Sequence, residues 1–561
     1  MDISKFSAYS GLCSLTFGAI AITAVPTYAV EKISFVYDSL ILSVSVDSLE
    51  TFANEGIATG NLAFYLDVAG ITAEQKALFR EALSKPVPVD PVLISRSLHT
   101  DEGLRLLDYF GDVINIQGGR NGQYVIRGSL VQSAFEPEGL SLINVLRNFS
   151  TNIQLDVKKA LVLGEKIDII VRATYLFSEE TARLSALEAE NDPPVDFSQK
   201  LDIQQPGPFQ VLEPQRFYLT DENRGTRFGE RRFYVDVYRP KTWREGKTPV
   251  VIISHGLSSE PEAFAKQAKH LASYGYFVAV PQHPGSDIQQ KNYFLEGLSR
   301  QIFLVEEFVD RPLDISQTLD ELEKRNNIQY QGILDLENVG VFGHSFGGYT
   351  VLALSGATLD FEHLEEDCNI NLGNMNTALL LQCRALNIEQ KDYNFRDERI
   401  QAVYALNPVN ASIFGPKGLA KIKIPTFIAA GNYDPATPFV FEQVRSFPWL
   451  TTANSYLLLQ EGQAHVDFSQ VDGGLSDLID TVDDLTLPSP ELLDDYTNST
   501  MLAFFELHLT KNQDYAPYLR ANYVQYLGKD EEFKAHLISQ DSSEALKEII
   551  EQFRLNNNIF R

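Results

Sequence analysis

The chain has 561 residues, of which 44% are hydrophobic and 22% charged, and its formal net charge at pH 7 is −28. This length predicts two or more domains, and the composition is that of a globular protein that can bury a large core. The net charge argues against nucleic acid and anionic membrane surfaces as partners, because their phosphate groups would be repelled.

The first 29 residues have the pattern of a secretory signal peptide. Lys5 precedes an apolar stretch over Gly11–Val25, and small residues at Thr27 and Ala29 end the segment. We expect cleavage after Ala29 and export of the protein, to the periplasm or out of the cell. The alternative is an uncleaved anchor helix. No other stretch has the length and apolarity of a membrane span, so we expect none in the mature chain.

Residues 30–160 predict a small, mostly helical N-terminal domain. It begins with one strand, SFVYDSLILSVSV, and continues with a helix for which Asp47 is the predicted N-cap and Glu50 completes a capping box. The domain contains no cluster of Ser, His, Cys or acidic residues that suggests chemistry. Residues 161–214 predict a long helix over 161–190, followed by a linker rich in proline and polar residues.

From residue 215, apolar β-branched runs alternate with helical segments. Runs such as TPVVIISHG, YFVAVPQHP, NVGVFGHS and IPTFIAAGNYD are typical of buried parallel strands. Residues 215–511 therefore predict an α/β domain, a mostly parallel sheet with helices on both faces. Within it, residues 356–398 form an insertion that we expect to cap the site. Residues 512–561 predict a C-terminal helical extension.

In such sheets the active site lies at the carboxyl ends of the strands, and one strand ends in a nucleophile motif. Gly343-His344-Ser345-Phe346-Gly347 matches G-x-S-x-G. A side chain at Gly343 or Gly347 would clash with the neighbouring strand and helix. Ser345 stands at a helix N-terminus, where the helix dipole favours a developing anion. We predict that Ser345 is a nucleophile rather than part of a structural turn.

A serine nucleophile needs a base, and the base needs an acid that orients it. His465 follows the last apolar strand and a turn, and Asp434 ends the strand before it, in GNYDPATP. We predict His465 as base and Asp434 as acid, in the chain order of α/β-hydrolases. The alternative acids are Asp467, which is too near His465 in sequence to orient it easily, and Asp287.

Two other histidines, His508 and His536, lie in helical patterns and are predicted to be packing or surface residues. The oxyanion donors are predicted to be the backbone N–H groups of Leu257 and Phe346. Gly256 lets the first of these loops turn toward the substrate. His255 is predicted to be structural, and His283, which has no clear partner, to form pocket wall.

The mature chain keeps two cysteines, Cys368 and Cys383, both in the proposed cap. Two cysteines close together in an exported protein predict one disulfide, and the alternative is two buried thiols. No spacing of Cys and His resembles a zinc site, so the sequence predicts neither a metal nor a cofactor.

Residues 215–511 resemble an α/β-hydrolase of the dienelactone hydrolase and platelet-activating factor acetylhydrolase group. The segments SHGLSS, GHSFGG, GNYDPATP and GQAHVDF carry this resemblance. The acetylhydrolases place their acid at the end of the strand IQAVYALNP, which here falls near Asn407. In this chain the acid is predicted one strand later, at Asp434, as in bacterial polyester hydrolases and many lipases.

Residues 31–160 resemble a domain of unknown function that precedes hydrolases in cyanobacterial proteins. The segments ISFVYDSLILSVSVDSLETFANEG and EPEGLSLINVLRNF carry this second resemblance, which implies no activity. We expect the domain to be an accessory that positions a lipid-like substrate or docks near the active-site mouth. Independent stabilisation or partner binding is the alternative.

The sequence thus predicts an exported serine hydrolase that cleaves carboxylic esters of lipids or other acyl compounds. A serine peptidase or acyltransferase with the same triad is one alternative, and a binding protein with a vestigial site is another. Acyl chain length, head group and oligomeric state are not encoded in any motif that the sequence displays.

Overall fold

The computed structural model describes residues 30–87, 89–226, 229–369, 376–465 and 487–557. These described residues fall into two compact units, which divide between Leu161 and Val162. The predicted signal segment lies outside the described residues. No helix among the described residues has both the length and the apolar character needed to cross a lipid bilayer.

In the described part of the N-terminal unit, seven helices pack with a small mixed sheet in the order β2-β1-β5-β3-β4. Its strands are β1 Lys32–Tyr37, β2 Leu40–Ser45, β3 Ile114–Ile116, β4 Arg120–Asn121 and β5 Ile153–Asp156. Its helices are α1 Val46–Glu55, α2 Gly60–Val68, α3 Ala73–Ser84, α4 Pro91–Ser97, α5 Asp101–Val113, α6 Gln123–Phe135 and α7 Leu142–Arg147.

The start of this unit differs from the sequence-based expectation. The segment read as one strand is a hairpin, because the chain turns at Asp38, whose φ is 52°. Helix α1 then begins at Val46 rather than after Asp47. The hydroxyl of Ser45 accepts the N–H of Ser48 and is the N-cap, so the expected capping box of Asp47 and Glu50 does not form.

The second unit is built on a nine-stranded sheet in the order β14-β13-β12-β11-β10-β8-β9-β7-β6. The six strands from β13 to β9 in this order are parallel, and β6, β7 and β14 add antiparallel edges. The strands are β6 Gln215–Thr226, β7 Gly229–Tyr238, β8 Thr248–Ser254, β9 Phe277–Pro281, β10 Leu334–His344, β11 Ile400–Leu406, β12 Thr426–Gly431, β13 Ser455–Gln460 and β14 Ala535–Ser539.

Helices cover both faces of this sheet. They are α8 Val157–Asn191, α9 Ala265–Ser273, α10 Ile288–Glu296, α11 Glu307–Ile328, α12 Phe346–Leu354, α13 Phe361–Asn369, α14 Leu379–Gln382, α15 Ala411–Leu419, α16 Pro490–His508, α17 Ala521–Leu527 and α18 Ser543–Asn557. Along β8, Val250 and Ile252 join the core under α11 and α12, and Val251 and Ile253 join the core under α9 and α16. This alternation of buried faces is why the strand reads as a continuous apolar run.

This architecture is the α/β-hydrolase fold, and the predicted fold class is confirmed. Two segments differ from their expected form. The polar, proline-containing stretch 191–214 is packed rather than a free linker, because Phe197 and Ile203 are buried against the aromatic residues of the C-terminal segment. The C-terminal extension is not wholly helical, because Ala535–Ser539 pairs antiparallel with β13 and completes one edge of the sheet.

Helix α8 belongs to the hydrolase core along its second half. Ala173, Phe177 and Leu184 are buried, and the Phe177 ring lies 5.5 Å from that of Phe553 in α18. The N–H of Leu537 in β14 donates to the Ser185 hydroxyl at 3.1 Å. The first helix and the last strand of this unit therefore hold each other in place.

Candidate active site

Four parallel strands deliver the predicted site residues to one edge of the sheet. Gly256 follows β8, Ser345 follows β10, Asp434 follows β12 and His465 follows β13. Because the carboxyl ends of parallel strands meet at the same edge, residues far apart in sequence become neighbours.

Ser345 occupies a sharp turn between β10 and α12. Its φ of 57° and ψ of −118° are strained for a residue with a side chain. A Cβ on Gly343 would lie 2.1 Å from the carbonyl oxygen of Gly347, and a Cβ on Gly347 would lie 2.0 Å from that of Ser254. Neither position can carry a side chain, so the turn requires both glycines.

A continuous row of hydrogen bonds links serine, histidine and aspartate. His465 Nε2 lies 2.7 Å from Ser345 Oγ, and His465 Nδ1 lies 2.7 Å from Asp434 Oδ2. A carboxylate can only accept, so Nδ1 carries the proton and Nε2 is left to accept the serine hydroxyl proton. The imidazole is 15% exposed and the carboxylate 1%, so the predicted base is accessible while the predicted acid is buried.

The Asp434 carboxylate is held by donors on both oxygens. Oδ1 accepts the N–H groups of Ala436 and Thr437 at 2.8 Å, and Oδ2 accepts the Thr437 hydroxyl and the Asn407 amide at 2.6 Å as well as His465. Burial raises the pKa of this carboxyl, but His465 and these hydrogen bonds outweigh it and lower the pKa to about 2. Asp434 is therefore charged at neutral pH.

The alternative residues are engaged elsewhere or not described. Asp287 caps α10, where its carboxylate accepts the N–H of Gln290 at 3.0 Å. Asp467 lies outside the described residues. His536 lies on β14, not in a helix, and pairs with Glu461 at 2.7 Å. His508 ends α16 and packs against Phe504.

The two loops expected to supply oxyanion donors lie side by side at Ser345. A Cβ added to Gly256 would lie 3.3 Å from the Cβ of Ser345, so the loop after β8 passes directly over the serine. Phe346 is the first residue of α12. Within the part of the chain that the structure describes, the N–H groups of Leu257 and Phe346 donate to no protein acceptor. Both are thus available to a substrate oxygen.

His255 and His283 are fully buried below this edge. His283 Nδ1 lies 2.9 Å from Asp314 Oδ2, and its Nε2 lies 3.0 Å from the Ser254 hydroxyl. The N–H of His283 donates to His255 Nε2 at 3.1 Å. His283 therefore has hydrogen-bond partners, contrary to expectation, and His255 is a buried packing residue as expected.

Sequence reasoning missed the buried Arg311 of α11. Its guanidinium donates to the His255 carbonyl, to the Ser286 hydroxyl at 2.7 Å and to the Thr350 hydroxyl at 3.0 Å. It also lies 4.6 Å from the ring centre of Phe346. Burial lowers the pKa of Arg311 to about 10, which still leaves it charged at neutral pH. The Arg311 guanidinium thus contacts both segments that carry the predicted oxyanion donors.

His344 is a second residue for which the sequence offered no role. Its Nε2–H donates to the carbonyl oxygen of His465 at 2.6 Å, and the two rings lie 4.9 Å apart. Burial lowers the pKa of His344 to about 3, so the ring stays neutral. The residue before Ser345 in the serine motif thus holds the backbone of His465, the predicted base.

The predicted cysteine pair is joined. Cys368, near the end of α13, forms a disulfide with Cys383, and their Cα atoms are 5.8 Å apart. The same insertion approaches the acid, because the Thr377 hydroxyl donates to the carbonyl of Pro435, next to Asp434. Within the described ranges, no group of three or more His, Cys, Asp or Glu side chains is arranged to hold a metal ion.

A mostly parallel, doubly covered sheet with a serine on a strained strand-to-helix turn defines an α/β-hydrolase. Comparison with known families agrees with this class. Residues 226–300 match the family described as platelet-activating factor acetylhydrolase, isoform II. Residues 29–156 match the family described as alpha/beta hydrolase of unknown function (DUF1400), a match that falls in the N-terminal unit.

Among curated proteins, the chain is similar to platelet-activating factor acetylhydrolase of Cavia porcellus. The two are 27% identical over 154 residues, which cover 21% of this chain and 35% of that relative. The chain thus spans about a third of the relative's length. Together these likenesses support an α/β-hydrolase of the platelet-activating factor acetylhydrolase-like group.

Proposed function

We propose that the protein is an exported serine hydrolase that cleaves carboxylic esters, with lipid or other acyl esters as its substrate class. The observation that carries the proposal is the row Ser345 Oγ, His465 Nε2, His465 Nδ1 and Asp434 Oδ2, joined by two contacts of 2.7 Å. The likeness to an acetylhydrolase supports a lipid ester rather than a peptide.

The reaction begins with attack of Ser345 Oγ on the ester carbonyl carbon while His465 Nε2 takes the hydroxyl proton. The Leu257 and Phe346 N–H groups donate to the oxyanion, a contribution for which one donor is typically worth about 10²–10³ in rate. As the tetrahedral intermediate collapses, His465 gives its proton to the departing alcohol and an acyl-serine remains.

Hydrolysis of this acyl-enzyme repeats the steps with water. His465 accepts a proton as the water oxygen attacks, and returns it to Ser345 Oγ as the carboxylic acid leaves. Asp434 keeps the imidazole in the Nδ1–H tautomer and stabilises the imidazolium. No step requires a cofactor.

The test is hydrolysis of nitrophenyl esters and labelling by a fluorophosphonate probe. Ser345→Ala and His465→Ala should abolish both without loss of fold, and Asp434→Asn should lower kcat by about 10⁴-fold. Near-wild-type activity of Asp434→Asn would assign the role of the acid to another carboxylate.

Faster turnover of peptide amides than of esters would favour a peptidase. Transfer of the acyl group to an added alcohol in preference to water would favour an acyltransferase, and an unlabelled wild type would indicate a vestigial site.

Export is part of the proposal and rests on the signal-like residues 1–29 and the disulfide. It predicts that the mature N-terminus, determined by sequencing of the secreted or periplasmic protein, is Val30. Retention of Met1 in exported protein would indicate an anchor instead.

A further inference from the structure

Asn407 stands at the carboxyl end of β11, the strand between those that end at Ser345 and Asp434. Its side chain is fully buried, and its φ of 44° lies in the left-handed region that residues with a Cβ seldom adopt. Its backbone N–H donates to the carbonyl of Ala429 at 2.8 Å. The turn therefore aims the Asn407 amide in one fixed direction.

The Asn407 amide points to the place where Asp434 and the chain before His465 meet. Asn407 Nδ2 donates to Asp434 Oδ2 at 2.6 Å and to the carbonyl of Ala464, the residue before His465, at 3.3 Å. Both partners can only accept, so the nitrogen and not the oxygen of the amide must face them. Among the described residues, the buried Oδ1 of Asn407 has no hydrogen-bond partner. A polar atom left unpaired in the interior is destabilising, which indicates that the amide is retained for its NH₂ group.

We infer that Asn407 is a positioning residue of this site, an inference that rests on the proposed function. One amide proton fixes the oxygen that accepts His465 Nδ1–H, and the other ties down the chain that carries His465. Thr437 donates to the same carboxylate oxygen but does not reach the Ala464 carbonyl. Asn407 thus couples the acid to the backbone of the base, which sets the tilt of the imidazole toward Ser345.

The experiment compares the full-length wild type with Asn407→Gly and Asn407→Asp. Glycine adopts a positive φ without strain and removes only the side chain, and aspartate keeps the shape but replaces the donor with an acceptor. With a soluble nitrophenyl ester we expect kcat to fall by about 10- to 100-fold in Asn407→Gly with KM unchanged. The fall should be larger in Asn407→Asp, because two touching carboxylates repel.

Asn326→Ser is the matched control. Asn326 is another buried asparagine, and its amide bonds the N–H and the carbonyl of Leu334 at 3.1 Å. Leu334 begins β10, and this strand of 11 residues, about 33 Å long, separates it from Ser345. The control should melt at a lower temperature but keep its kcat.

A wild-type kcat in Asn407→Gly, or a loss of kcat that Asn326→Ser shares, would overturn the inference. A rise in KM with kcat unchanged would also overturn it, because that result places Asn407 in substrate binding. A wild type that neither hydrolyses esters nor reacts with the fluorophosphonate would overturn the proposed function, and this inference with it.

Discussion

Six of the nine histidines are buried or partly buried in surroundings that lower their pKa. In each case burial is the largest cause, with the Arg311 charge adding to it at His255 and His283. The pKa falls to about 3 at His283 and His344 and to about 4 at His270 and His508, and it falls as well at His255 and His363. The rings of His270, His283, His344 and His508 are therefore neutral in the folded protein near pH 6.5, where the unfolded chain begins to protonate them.

Because the pKa of these histidines is lower in the folded than in the unfolded chain, their protonation favours the unfolded chain. The stability that these histidines contribute is fully present above their unfolded pKa of about 6.5, and it is lost as the pH falls toward the folded values. Each can lower the free energy of unfolding by up to about 1.4 kcal/mol per pH unit in that window. Burial raises the pKa of Glu307 to about 7 and that of Asp495 to about 6, and these two groups oppose the effect.

We therefore predict that stability decreases steadily from pH 6.5 to pH 4. Urea unfolding at a series of pH values should show the free energy of unfolding falling with pH. In His508→Gln this fall should be smaller by the contribution of one histidine. Equal free energies of unfolding at pH 7 and pH 5 would contradict the prediction.

At the scale of single residues, strand-end motifs singled out Ser345, Asp434 and His465, which the structure joins in one hydrogen-bonded row. Their shared feature is local: each polar residue follows a buried run. Asn407 and Arg311 could not be found in this way. Their partners lie on neighbouring strands or on a helix, and only the packed sheet brings them together.

Among the elements, the insertion that carries the disulfide offers a direct test. The bond closes a loop between α13 and the segment after α14. In the chain-entropy account, a loop of this length stabilises the fold by about 3 kcal/mol. The double variant Cys368→Ser/Cys383→Ser should lose that amount in urea unfolding, and reduction of the wild type should match it. An unchanged unfolding midpoint, or two free thiols in non-reducing peptide mapping, would contradict the prediction.

Elements with long apolar patterns could be predicted from the sequence, and β14 could not. Ala535, Leu537 and Ile538 are buried, and this short run fits a helix as well as a strand. Its form is decided by the exposed edge of β13, with which it pairs over five residues. The hairpin of β1 and β2 was missed for a related reason, since Asp38 and Ser39 do not form a strong turn signal.

At the scale of the whole molecule, the hydrolase unit begins within α8 rather than at residue 215, where the sequence predicted its start. A fragment 162–561 keeps the buried Ala173, Phe177 and Leu184 of α8, and a fragment 209–561 lacks them. We predict that the first folds and reacts with a fluorophosphonate and that the second does not. A folded, reactive 209–561 would show that α8 is dispensable.

The longer fragment, 162–561, also tests the proposed accessory role of the N-terminal unit. If that unit presents lipid-like substrates, 162–561 should hydrolyse small soluble esters at the wild-type rate and lose activity on micellar long-chain esters. Equal loss on every ester would indicate a stabilising role, and no loss on any would place the function of the unit outside catalysis.

The contact between α8 and β14 also has a consequence in time. Leu537 N–H and Ser185 Oγ are 352 positions apart, so a ribosome adding about 5–20 residues per second completes the partner of α8 roughly 20–70 s after α8 itself. Through this interval α8 lacks its partner strand, and once β13 has been made its edge stays open until β14 follows. A nascent chain that ends between residues 460 and 535 therefore lacks the strand that both elements contact, and we expect such products to be bound by chaperones or degraded rather than to accumulate.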